Sequence, residues 1–233
     1  MNFPGSIAIA RFTVASIAPI DFAVDANAQF GVGVGYNLGT TLTNLDDDSE
    51  SLNGFYLEAT YDWNFIDKSW GVLALQPGVR FSYMGDSESE ESMGMKMKAS
   101  LNETYVDVPV NVKYSYDFGS VKVSAFAGPA VSLGLTSTMK VKMDDGKIVT
   151  HNYSGKVVAK GEGVSASGGE GVTDYGRFDI KFGVGAGVTF MDKLNVKLGY
   201  NIGMLNRYTG EQVEDHKVKY NTNVFYVGLG FLF

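Results

Sequence analysis

The residues best equipped for chemistry are the two histidines, His151 and His216, each with a hydroxyl nearby. Ser154 follows His151, and Thr209 and Glu211 precede His216. A hydroxyl, an imidazole and a carboxylate can act as nucleophile, base and orienting acid, but geometry defines such a triad, not chain order. Nothing in these spacings separates the residues from ordinary loop positions, so no catalytic residue is assigned. Asp46-Asp47-Asp48 offers carboxylates to a cation but lacks the spaced oxygen ligands and the glycine of a calcium loop; it reads as a solvated acidic loop. Gly31, Gly33 and Gly35 alternate with valine and open no helix, so they are no dinucleotide fingerprint. Met93, Met95 and Met97 alternate with Gly94, Lys96 and Lys98, which reads as a strand running beyond a bilayer, not a metal-binding methionine box. The chain has no cysteine, which excludes thiolate chemistry. No cofactor and no metal are expected.

A second set of reactive groups has a regular setting. Glu58, Asp62, Asp107 and Asp179, with Arg80, Lys113, Lys122, Lys181 and Lys197, all occupy one parity of alternating segments. The other parity is apolar. Side chains alternate across a strand, so each segment is a ribbon with one greasy and one lean face. The last ribbon shows this plainly: Phe225, Val227, Leu229, Phe231 and Phe233 alternate with Tyr226, Gly228, Gly230 and Leu232. An exposed apolar strand at the end of a water-soluble chain is an aggregation hazard, whereas a membrane barrel needs such a strand to close on its first one.

Eight ribbons can be counted between Phe30 and Phe233. Their connections alternate long and short. The short ones are Ile66–Ser69, Asp117–Ser120 and Met191–Lys193. The long ones are polar: Thr40–Asn53, Gly85–Asn102, Met139–Tyr175 and Arg207–Lys219. Within the third of these, Gly161–Gly171 reads GEGVSASGGEG and is flexible by composition. Short turns at one rim and long loops at the other are the rhythm of an eight-stranded antiparallel up-and-down transmembrane β-barrel. Aromatics gather near ribbon ends, as at Trp63, Phe65, Tyr114 and Tyr116, and are candidates for interfacial girdles.

Composition agrees. Apolar residues make up 45% and charged residues 19% of the 233-residue chain, with 29 glycines and only 5 prolines. This suits a sheet protein with close backbone approaches. The net charge of −7 argues against a nucleic-acid partner. No segment approaches the roughly 20 apolar residues of a spanning helix, so a membrane reading rests on strands. Residues 1–28 read as a signal peptide, ending in the small-x-small site Ala26-Asn27-Ala28, or as an N-terminal extension that packs on the barrel. Residues 29–233 form the barrel domain.

The stretch TYVDVPVNVKYSYDFG resembles the YLEIPLLLKY strand of the outer-membrane β-barrel domain family of Bacteroidota, the PorT-like or porin-family small barrels. FAGPAVSLGL, FDIKFGVGAGVTF, LNVKLGYNIG and the terminal VFYVGLGFLF are similar to its later strands, in the same order. The resemblance implies an integral outer-membrane protein in contact with lipid and with the barrel-assembly machinery, and it implies no particular substrate.

The expected function is non-enzymatic: structure, adhesion or binding of an extracellular protein or glycan through the long loops. The alternatives are a narrow pore, a lipid-modifying enzyme and a soluble lipocalin-like carrier. The last would turn the apolar face inward around a ligand. On the membrane reading, the lean-face charges pair inside the lumen.

Overall fold

The computed structural model describes residues 28–43, 50–92, 95–143, 146–154, 156–161, 176–208 and 220–233. Ten strands occur in it: β1 (Ala28–Thr43), β2 (Glu50–Lys68), β3 (Gly71–Ser92), β4 (Met95–Asp117), β5 (Val121–Met143), β6 (Gly146–His151), β7 (Lys156–Gly161), β8 (Phe178–Phe190), β9 (Leu194–Gly203) and β10 (Tyr220–Leu232). Eight of them close a ring in the order β1-β2-β3-β4-β5-β8-β9-β10, with every neighbour antiparallel. The ring closes where β10 pairs with β1, from Gly31↔Leu232 to Thr43↔Tyr220. The amide of Phe233 donates to the carbonyl of Phe30 at 2.8 Å. No strand of the ring keeps an open edge, which is the condition for a sheet to sit in hydrocarbon.

The apolar faces point outward. Val34, Leu57, Val79, Leu198 and Leu229 are each more than half exposed, at 54%, 59%, 53%, 51% and 55%. Arg80, Asp107, Lys181 and Asp179 are buried. A water-soluble protein has the opposite distribution, so the lipocalin-like alternative fails on this ground. Aromatic pairs edge the belt: Trp70 stacks on Tyr114, Tyr116 meets Phe118 edge-on, and Phe30 and Phe231 both contact Phe233.

The short turns are tight. In the β8–β9 turn the amide of Lys193 donates to the carbonyl of Phe190 at 3.1 Å. Met191 and Asp192 between them both have positive φ, 51° and 58°, as a type I′ hairpin requires. Gly119 takes φ +95° in the β4–β5 turn, where its amide donates to the Asp117 carboxylate.

Two of the long connections depart from expectation. Gly85–Asn102 is a continued hairpin, paired in register from Gly85↔Asn102 to Ser92↔Met95; the strand expected at Met95–Lys98 is present in it, and the departure lies in Gly85–Ser92 and Ala99–Asn102. Likewise β5 runs on through Met143, and β6 and β7 add a further hairpin to it. Most of the GEGVSASGGEG segment, with the acidic run at 46–48 and the region 1–27, lies outside the described residues. The difference has a physical source. Ala99, Leu101, Met139 and Val141 do alternate with Lys98, Ser100, Lys140 and Lys142, but lysine and serine look like loop composition. Strands β3, β4 and β5 reach 22, 23 and 23 residues against 13, 10 and 13 for β8, β9 and β10. A bilayer requires about 9–11 residues per strand. One side of the wall therefore stands well clear of the membrane as a five-stranded sheet.

A β-bulge marks the point of exit. Thr104 pairs with Thr136 while Tyr105 pairs with Gly134, leaving Leu135 as the extra residue. Such an insertion shifts side-chain parity along the bulged strand. Below it the odd residues of β5 face outward; above it the even residues do.

Candidate functional site

Lumen-facing charges are brought together by strand register. Glu58 lies opposite Arg80, Arg80 opposite Asp107, Asp107 opposite Ser132 and Ser132 opposite Asp179, so one row crosses five adjacent strands. The Arg80 guanidinium donates to Glu58 at 2.8 and 3.2 Å. Lys197 reaches the other Glu58 oxygen from across the lumen. Lys181 pairs with Asp107 at 2.9 Å. One level nearer the short turns, Asp62 accepts from Lys113 and from Gln76, both at 2.6 Å. Glu58, Asp62 and Asp107 thus pair with Arg80, Lys197, Lys113 and Lys181 inside the cylinder. Buried charge is tolerated on such terms, paired and hydrogen-bonded.

Lys122, expected in the same network, stands apart. Its partner at 3.3 Å is Asp192 of the β8–β9 turn, and both are partly exposed at the short-turn rim. Among the described residues Asp179 has no cation within ion-pair distance; it accepts from the backbone amide of Leu205 at 3.1 Å.

Aromatic rings complete the seal. Tyr56 and Tyr226 cross edge-on at 5.7 Å between centroids, and the Arg80 guanidinium lies 4.4 and 4.0 Å from their rings. Phe126 joins them in the central apolar cluster. The lean-face glycines make room for these rings: a Cβ at Gly35 would collide with Tyr56, and one at Gly199 with Tyr226. Two internal spaces in the lumen measure about 20 Å³ each, room for about one water molecule.

At the long-stranded mouth a second cluster forms around Arg207. Its guanidinium donates to the hydroxyls of Tyr105 at 2.8 Å, Tyr153 at 2.9 Å and Thr222 at 3.3 Å. Glu103 lies at 4.0 Å, accepts from Tyr105, and also accepts from Ser137 at 2.9 Å. Burial opposes the Arg207 charge, but the oxygens of Tyr105, Glu103 and Tyr153 outweigh it and hold the guanidinium protonated beyond its ordinary range. Burial also raises the Tyr153 hydroxyl, so it stays neutral. Arg207 therefore ties the tip of the β6–β7 hairpin region to β4 and β10. Arg207→Ala is expected to cost about 1.5–3 kcal/mol, the worth of charge-assisted hydrogen bonds. It should also speed amide exchange at Asn152 and Tyr153, read by hydrogen–deuterium exchange; unchanged exchange there would refute the tie.

Tyr56, Gln76, Glu103, Tyr105, Arg207 and Tyr226 belong to the site but were not singled out by sequence pattern. Tyr56, Gln76 and Tyr226 did carry a signal, since they are large residues at lean-face positions. Arg207 carried none, because it enters from a loop.

The catalytic alternatives are not assembled among the described residues. The Ser154 hydroxyl donates to the backbone carbonyl of His151 at 3.4 Å, not to its ring. The ring instead has its Nδ1 3.5 Å from Thr138 Oγ1, on an exposed surface. His216, Thr209 and Glu211 lie outside the described residues. Among the described residues no three metal-ligating side chains gather.

A family model described as "Outer membrane protein beta-barrel domain" matches residues 7–233. A search of curated proteins found no match. Among solved structures the chain is similar to Ail, the attachment invasion locus protein of Yersinia pestis, in complex with the heparin analogue sucrose octasulfate (11% identity, 89% of this chain and 99% of that one, TM-score 0.45). It is also similar to the outer-membrane enzyme PagL (13%, 87% and 97%, TM-score 0.46) and to Neisserial surface protein A (13%, 87% and 96%, TM-score 0.42).

Proposed function

Because the chain belongs to the outer-membrane protein beta-barrel domain family and is an integral outer-membrane protein, we propose that it is a non-enzymatic, closed barrel that presents a binding sheet outside the cell. The single observation that carries this reading is the pairing of a sealed lumen with a wall that outgrows the membrane on one side. Support comes from the middle of the lumen, where Arg80, Tyr56 and Tyr226 pack together and two spaces among the described residues measure about 20 Å³ each. Extra strand length in β3–β7 has no use inside the bilayer. Rigid scaffolds of this kind carry function on what projects from them. The partner is an extracellular protein, a glycan or lipid. Placement among the PorT-like barrels of Bacteroidota is part of the same proposal and is supported by the order of the strand motifs, from TYVDVPVNVKYSYDFG to VFYVGLGFLF.

Planar-bilayer recording of the full chain tests the closed lumen. The expected result is a flat trace without discrete steps. Reproducible steps would restore the narrow-pore reading. Incubation with phospholipid and glycolipid, followed by mass spectrometry, should leave acyl content unchanged. Turnover abolished by His151→Ala would make the chain an enzyme.

A further inference from the structure

The projecting sheet has two unlike faces. Lys98 of β4 pairs directly with Lys142 of β5, Lys142 with Lys147 of β6, and Lys147 with Lys160 of β7. Directly opposed residues share a face, so Lys98, Lys142 and Lys147 form a ladder across three adjacent strands. Lys140 stands two residues from Lys142 on the same face, and Lys96 two residues from Lys98. All five are exposed. Lys96 pairs with Glu91 at 3.8 Å. Among the described residues Lys98, Lys140, Lys142 and Lys147 pair with no acid. Like charges directly opposed across a sheet are destabilising, and this row occurs in a chain whose net charge is −7.

Parity decides which way the ladder looks. In β4 the outward residues of the belt are even-numbered, such as Val108 and Val110, and Lys98 continues that series. In β5 the Leu135 bulge brings Lys140 and Lys142 to the same side. The lysines therefore lie above the lipid-facing side and not over the mouth. Between belt and ladder sits a layer of hydroxyls and amides on the outward side: Asn102, Ser100, Thr136 and Thr138. From the membrane upward the surface reads apolar, then hydrogen-bonding, then cationic. Basic clusters standing just outside the lipid-facing surface attract anionic headgroups.

We infer that the outward face of the β4–β5–β6 extension docks phosphate-bearing lipid headgroups of the leaflet around it. This rests on the projecting sheet being the binding element and names its partner. A soluble polyanion such as a sulfated polysaccharide would meet the same charge, but it needs no alignment with the lipid-facing side.

The test uses the full chain folded in neutral detergent micelles doped with a phosphorylated glycolipid or with its dephosphorylated form. Hydrogen–deuterium exchange over residues 95–102 and 138–151 reports occupancy. Wild type should be protected only by the phosphorylated lipid, and added salt should weaken that protection. Each lysine near a lipid surface contributes about fivefold, so Lys98→Gln/Lys142→Gln/Lys147→Gln should bind about a hundredfold more weakly. The corresponding triple lysine-to-arginine variant should retain binding. Without lipid the glutamine variant should be no less stable than wild type, since it removes repulsion. Equal protection by both lipids, or unaltered binding by the glutamine variant, would overturn the inference. Protection by soluble heparin with indifference to lipid phosphate would overturn it in favour of a free polyanion. None of these outcomes bears on conductance, so the closed-lumen reading stands or falls separately.

Discussion

Glu58→Gln is expected to lower the unfolding free energy of the barrel by about 3–5 kcal/mol, the cost of leaving a buried charge without its partner. Glu58 is the shared acid of two cations: Arg80 holds one of its oxygens and Lys197 the other. All three side chains are almost wholly removed from solvent, with exposures of 7%, 6% and 12% for Arg80, Glu58 and Lys197. The amide keeps the shape and removes the charge, so packing loss is small and the effect isolates electrostatics. Urea unfolding in phospholipid vesicles, followed by the heat-modifiable band shift on gels, measures it. Adding Lys197→Met to Glu58→Gln should recover part of the loss, because one uncompensated cation is then gone. Lys122→Gln serves as control: its pair with Asp192 is partly exposed, and such pairs contribute about 0–1 kcal/mol. If Glu58→Gln and Lys122→Gln behaved alike, the sealed ion cluster would not exist in the folded barrel.

Val34→Arg is expected to cost about 2–4 kcal/mol, and Leu38→Arg only about 0–1, because the penalty for charge on the lipid face falls from midplane to interface. Val34 sits in register with Leu229 on one side and Leu57 on the other, at the middle of the belt. Leu38 lies opposite Phe225 near the long-stranded rim. The gradient matters more than either value. A water-exposed outer face would accept arginine at both positions, and a ligand-filled interior would reject it at both. Only hydrocarbon flanked by headgroups separates the two. Folding yield into vesicles and urea midpoints provide the measurement.

Both effects trace to features legible in the alternation of the chain itself. A period of two assigns Val34 and Leu57 to one face and Glu58 to the other, since a strand offers a side chain only two directions. The final ribbon from Phe225 to Phe233 announces closure, because its apolar series has no other cover. The three short turns are equally legible from spacing. Composition misled only where strands leave the belt: there lysine and serine replaced one apolar face, and the outer parts of β3–β7 passed for loops, except at Met95–Lys98, where the alternation with methionine still showed a strand.

Residue order alone thus specifies the wall: which residues share a face and how many strands the ring holds. Those are local matters, settled by the pleat. That the apolar face looks outward came with the closed barrel, where Val34 and Leu57 are exposed and Arg80 is buried. Who meets whom across the lumen is not local and emerged only with the closed barrel. Glu58 takes both Arg80 and Lys197, Lys122 leaves the network for Asp192, and Arg207 enters from a loop to bind Tyr105 and Tyr153. The same holds for the lysine ladder, which depends on register and on one bulged residue, Leu135. Closing the sheet sets these pairings, and a shift of one residue in any strand would exchange every partner.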